Sequence, residues 1–173
     1  MKVLSPGKVN MTLPNSNSKT FLELLDGRRE ELHFTQAEPT PFTVSDAEFS
    51  LKSGVTVDVE IMNVKLEATS RELWPGKKVT VRGGVDGQGE AMKANVSIPF
   101  NKKIADGVQA ETYLYWVIET PEGTLRNKQP IHMKGTIHGL PPQNATFNSE
   151  SVIPLYDEQD QHVGTLYGCL QSN

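Results

Sequence analysis

The sequence predicts an all-β protein, an antiparallel sandwich or barrel, and three observations carry that prediction. Val55, Val57, Val59 and Ile61 place apolar groups at every second position, as do Met92, Ala94, Val96, Ile98 and Phe100. Successive side chains of a strand point to opposite faces, so this alternation makes one wet face and one that must be covered. Between Val55 and Leu170 such segments are broken at short intervals by Gly, Pro, Asp or Asn, the residues that turn a chain. The 11 Pro and 14 Gly also suit a loop-rich β protein.

The elements follow in order. Residues 14–20 are a polar linker. After it, the spacing of Phe21, Leu22, Leu24 and Leu25 suits a short amphipathic helix, which Gly27 interrupts and Pro39 and Pro41 end. Residues 1–40 are therefore expected as an N-terminal arm, short helical or irregular, and residues 41–173 as the β-sandwich domain. Residues 42–51 make a first strand. Residues 55–66 make a long one whose apolar parity switches from odd to even near Met62, which predicts a bulge or a crossing there. Residues 77–85 and 91–100 flank Asp86-Gly87-Gln88-Gly89, the strongest hairpin signal in the chain, because Asp-Gly and Gly take positive φ readily. Residues 109–119 are apolar on both parities and are expected as a central strand covered on both sides. Residues 130–139, 144–156 and 162–170 complete the set.

Composition bounds the function. A chain of 173 residues is one domain, or one domain with an arm, and can bury a sizeable core. Its formal charge of -4 argues against a nucleic-acid partner, which wants a basic face. No apolar run of about 18 residues suggests a membrane span, and residues 1–13 lack the apolar centre of a signal peptide. Cys169, alone, allows no intramolecular disulfide, which favours a reducing, cytoplasmic setting. Were the chain a mature secreted form, the sequons at Asn10, Asn95 and Asn144 would matter.

No residue set spells out catalysis or metal binding, and no cofactor is expected. The glycines of 83–89 fit no phosphate-loop spacing, and a strand rather than a helix follows them. His132 and His138 share a parity but lie about 20 Å apart along an extended strand. His33 and His162 lie in other segments. Asp58 and Glu60 fall on the wet side of their strand. The acidic turn 157–160 lacks the Gly and the closing Glu of a calcium loop. Cys169 has no base within reach along its strand and reads as a small core residue.

The apolar residues of the covered face are the remaining candidates. Val81, Met92, Val96, Ile98, Phe100, Leu114, Trp116, Ile118, Ile131, Met133, Ile137 and Val152 either pack shut or line a cavity for a hydrophobic ligand. Periodicity alone favours the closed core.

A resemblance bears on that choice. Residues 74–81, Trp-Pro-Gly-Lys-Lys-Val-Thr-Val, resemble the entry strand of the ML lipid-recognition domains. Ile131 to Ile137 with Leu140-Pro141-Pro142, and Leu155 to Asp160 with Cys169 near the end, are similar to that family's later strand and closing hairpin. The likeness spans roughly residues 55–170. It implies an immunoglobulin-like antiparallel β-sandwich with a lipid cavity between two sheets, and no catalysis. The disulfides usual in that family have no counterpart here. The expectation is thus non-enzymatic binding or transfer of a lipid or other hydrophobic small molecule. The alternatives are a protein- or carbohydrate-interaction module, with Tyr113 and Tyr115 on its working face, and an assembly protein that uses the N-terminal arm.

Overall fold

The computed structural model describes residues 2–3, 9–52, 54–87 and 89–173. Its strands are β1 (Lys2–Val3), β2 (Val9–Leu13), β3 (Asn17–Leu24), β4 (Arg29–Gln36), β5 (Thr40–Ser50), β6 (Gly54–Ile61), β7 (Val64–Thr69) and β8 (Lys78–Gly83). They continue as β9 (Met92–Ile98), β10 (Val108–Leu114), β11 (Trp116–Thr120), β12 (Gly123–Asn127), β13 (Ile131–Ile137), β14 (Thr146–Asn148), β15 (Ile153–Tyr156) and β16 (His162–Ser172). Consecutive pairs share their neighbours. β4 and β5 form one long stave, as do β6 and β7, β8 and β9, β10 and β11, β12 and β13, β14 and β15, and β2 and β3. With β16 these make eight staves, each antiparallel to the next, in an up-and-down barrel.

Closure comes from the two ends of the described chain. β16 pairs with β3 from Gly164↔Leu24 to Ser172↔Asn17, which completes the ring β3-β4-β7-β8-β11-β12-β15-β16. The immunoglobulin-like sandwich expected from the sequence is therefore overturned. One sheet bends round on itself, and among the described residues no second sheet faces it. The arm is not helical either. Residues 17–24 and 29–36 are the staves that close the barrel. Their inward positions are Ser18, Thr20, Leu22, Glu30, Leu32 and Phe34, so small polar groups hide the period of two that Leu22 alone would not reveal. Gly27, at φ 91, makes the tight turn between them rather than interrupting a helix.

The parity switch near Met62 is real. Val57, Val59 and Ile61 are the covered side of β6, whereas Leu66 and Ala68 are the buried side of β7. Met62 and Asn63 form the break, and the Met62 amide donates to the Pro41 carbonyl at 2.9 Å. The expected hairpin at 86–89 is not formed. β8 pairs with β7 and β11, while β9 pairs with β6 and β10, so both run the same way in one stave. The glycine-rich segment is an excursion from the wall. Gly87 and Gly89 both donate to the Gly84 carbonyl, and Asp86 donates to Met62. Gly84 has φ 83, and a Cβ there would collide with the Met62 carbonyl, so only glycine fits. Residues 108–118 alternate after all, with even positions buried and odd positions half-buried or exposed.

One end of the barrel is packed solid. Leu22, Phe34, Leu66, Val79, Ile118, Ile153 and Leu166 fill the ring, each nearly or fully buried. Phe34 meets Trp116 edge to face at 6.2 Å. A loop seals that end by inserting Leu73 and Trp74. The buried carboxylate of Glu30 holds the loop. It accepts hydrogen bonds from the Ser70 hydroxyl (2.6 Å) and from the amides of Arg71 (2.7 Å), Leu73 (3.1 Å) and Glu72 (3.3 Å). Burial pushes the Glu30 carboxyl up, but these four donors together outweigh it and hold it below its ordinary value. The Trp74 indole N–H donates to Glu122 at 2.8 Å.

Candidate functional site

The opposite end is where the barrel opens. β5, β6, β9 and β10 rise there, and β13, β14 and the end of β16 complete the wall. Inside it lies a pocket of about 80 Å³. Its aliphatic wall is Val59 and Ile61 of β6, Ala94 and Val96 of β9, Ala110 of β10 and Ile137 of β13. Phe42 and Phe147 face it from β5 and β14. Leu13, Leu140 and Pro142 stand at the mouth. The pocket exists because the inward positions here are small. Ala94 and Ala110, on adjacent strands, leave space that the larger residues at the packed end fill.

Three polar residues break the apolar lining: Thr112, Gln171 and Asn173. Gln171 is occupied, its Nε2 donating to the Ser16 hydroxyl at 2.8 Å. The other two are not. Thr112 Oγ1 and Asn173 Oδ1 are buried atoms without a hydrogen-bond partner. Thr112 pairs with Met133, whereas Ala110 pairs with Gly135, so Thr112 lies one inward step deeper than Ala110. Asn173 follows β16 and bonds through its backbone to Asn144 and Ala145 at the mouth. Among the described residues, no charged side chain lines this pocket.

The residues singled out from the sequence fall in three places: the pocket, the packed core and the surface. Val96 and Ile137 line the pocket. Val81, Met92, Leu114, Trp116, Ile118, Ile131 and Met133 are in the packed core, and Ile98 is half-buried against it. Phe100 and Val152 are exposed, at 56% and 62%. Phe100 lies edge-on to Phe49 at 5.1 Å. Thr112 carried a signal of its own. It sits at an even, inward position between Ala110 and Leu114, a hydroxyl on the apolar face of its strand.

The outer wall carries a second polar group of residues. Tyr113 stacks on His132 with ring centres 4.6 Å apart and donates its hydroxyl to Glu111 at 2.9 Å. His132 Nε2 lies 3.4 Å from the same carboxylate. The Tyr113 hydroxyl above all holds Glu111 below its ordinary value; burial opposes it, and His132 and Lys134 add to the lowering. The same hydrogen bond pushes the Tyr113 phenol up. Tyr115 is half-buried against the core rather than standing free. Cys169 is buried, with its thiol 3.0 Å from the Thr20 hydroxyl. Among the described residues no three His, Cys, Asp or Glu side chains gather as a metal site, and no helix is long and apolar enough to cross a membrane.

No protein-family model matches the sequence, and no curated protein matches it. The fold is similar to that of DynF, from the dynemicin biosynthesis pathway of Micromonospora chersina, with a TM-score of 0.77 at 17% identity. That likeness covers 99% of this chain and 82% of the other. It agrees with a closed barrel and corrects the sandwich architecture that the short motifs implied. The two-sheet, immunoglobulin-like architecture of the lipid-recognition domains is not formed, and the description that rested on it falls with it. The fold is instead one found in a biosynthesis-pathway protein.

Proposed function

We propose that this protein binds an apolar small molecule inside the open half of its barrel. The observation that carries the reading is the asymmetry of the interior. One half is filled to closure, while the other keeps a pocket walled by aliphatic and aromatic side chains around a few fixed polar atoms. Up-and-down barrels of this size are wide enough to hold one small ligand when their inward residues are small. Apolar walls supply affinity by desolvation, and a few polar atoms set orientation. That the fold occurs in a protein of a biosynthesis pathway supports a role in handling small organic molecules.

An amide NMR titration with 1-octanol tests this. Saturable shifts confined to Ala94, Ala110, Thr112 and Ile137 are expected in the native chain. They should vanish in Ala110→Leu, which fills the pocket from its wall. Absence of saturation, or shifts that map to the outer wall around Tyr113 and His132, would overturn the reading.

A further inference from the structure

We infer that the pocket selects a neutral ligand bearing a hydroxyl group, and rejects both the acceptor-only analogue and the corresponding carboxylate. The inference rests on the ligand-binding reading above and deepens it. Thr112 is nine-tenths buried and lines the apolar pocket, and its Oγ1 has no hydrogen-bond partner. Asn173 lines the same pocket, and its Oδ1 is likewise buried and unpartnered. A buried polar atom without a hydrogen bond is costly, so native interiors satisfy nearly all of them. Two such atoms on residues that line one cavity mark where a ligand's own polar group belongs.

The chemistry of those atoms narrows the class. A carbonyl oxygen such as Asn173 Oδ1 only accepts, so its partner must donate. The Thr112 hydroxyl both donates and accepts. An alcohol or phenol satisfies either atom; an ether can meet only Thr112. A carboxylate meets a different obstacle. Among the described residues the lining offers no Lys, Arg or His, and an ionised group buried without a counter-charge is strongly disfavoured. The volume of about 80 Å³ suits a slender alkyl segment entering past Leu140 and Pro142.

The test compares 1-octanol, methyl octyl ether and octanoate at neutral pH with the whole chain, by the same amide titration. The alcohol should bind about tenfold more tightly than the ether, as one neutral hydrogen bond implies, and octanoate should be weakest. Asn173→Leu, which removes the atom that only a donor can meet, should shrink the preference for the alcohol while keeping ether binding through Thr112. Thr112→Val, nearly isosteric, is a second variant should Asn173→Leu fail to fold, and it should weaken the ether more than the alcohol. Ether equal to alcohol, octanoate tighter than alcohol, or a preference unchanged in both variants overturns the inference and leaves the pocket standing. Binding of none of the three overturns the ligand-binding reading, and the inference with it.

Discussion

The side-chain amide of Asn127 replaces backbone for Trp116. Its Oδ1 accepts from the Trp116 amide at 2.8 Å, and its Nδ2 donates to the carbonyls of Leu114 (3.0 Å) and Gln129 (2.8 Å). Ladder pairing between the neighbouring staves lapses here, between Leu114↔Ile131 and Val117↔Arg126. One buried side chain thus bridges the interruption and passes the wall from the open half to the packed half. Asn127→Ala would leave the Trp116 amide and the Leu114 carbonyl buried and unpaired. The expected loss is about 3 kcal/mol, given roughly 1–3 kcal/mol per stranded group. Urea unfolding checks it.

Glu30 gives the packed end a pH dependence. Its carboxyl is held below the ordinary value, so the stability it contributes is complete above that value and is lost as pH falls through the lowered one. Glu30→Gln is expected to lower stability by about 2 kcal/mol at pH 7, because charge-assisted bonds become neutral ones. The gap between variant and native chain should close progressively below about pH 4. Urea midpoints measured from pH 7 down to pH 3 read both effects; a constant gap would show that the loop is held by other contacts.

Gly84 and Gly27 separate two causes of glycine dependence. Both have positive φ, but only at Gly84 would a Cβ meet backbone. Gly27→Ala should cost about 1 kcal/mol of strain, whereas Gly84→Ala should cost about 3 kcal/mol or displace the 85–89 excursion. Thermal melts of the two variants make the comparison directly.

Truncation at the two ends should separate stability from affinity. Trp116→Ala removes a buried indole from the packed end and is expected to cost about 4 kcal/mol, with 1-octanol affinity changed less than twofold where the variant folds. Ile137→Ala, on the pocket wall, should alter affinity at a smaller cost in stability. Equal affinity losses in both would mean that the interior responds as one unit.

Cys169 should be inert in the native state. Burial pushes its thiol up, and the Thr20 hydroxyl only partly offsets that. A thiol reagent at pH 8 should react with it at the rate of unfolding and promptly in denaturant.

Much of this was written locally in the sequence. The alternation in β6 and β9 and the parity change at Met62 follow from side-chain direction alone. What local pattern does not carry is the choice of neighbour. Asp86-Gly87 has the chemistry of a hairpin turn, yet the strands on either side pair with others, and that pairing is fixed by the whole ring. The same holds for closure, where Leu22 meets Leu166 from opposite ends of the chain. The pocket was half legible. Val96 and Ile137 declare themselves by periodicity, whereas the empty space arises from Ala94 and Ala110, residues whose smallness reads as nothing until the ring is drawn.

A barrel with one solid end and one hollow end divides its own duties. The ring under Trp74 is sealed, and the wall around Ala94 and Ala110 is where the proposed ligand would be recognised. Under the proposed binding role, substitutions at the rim would retune which molecule enters without disturbing the foundation. A sequence of this architecture is free to drift in its specificity long before it drifts in its shape.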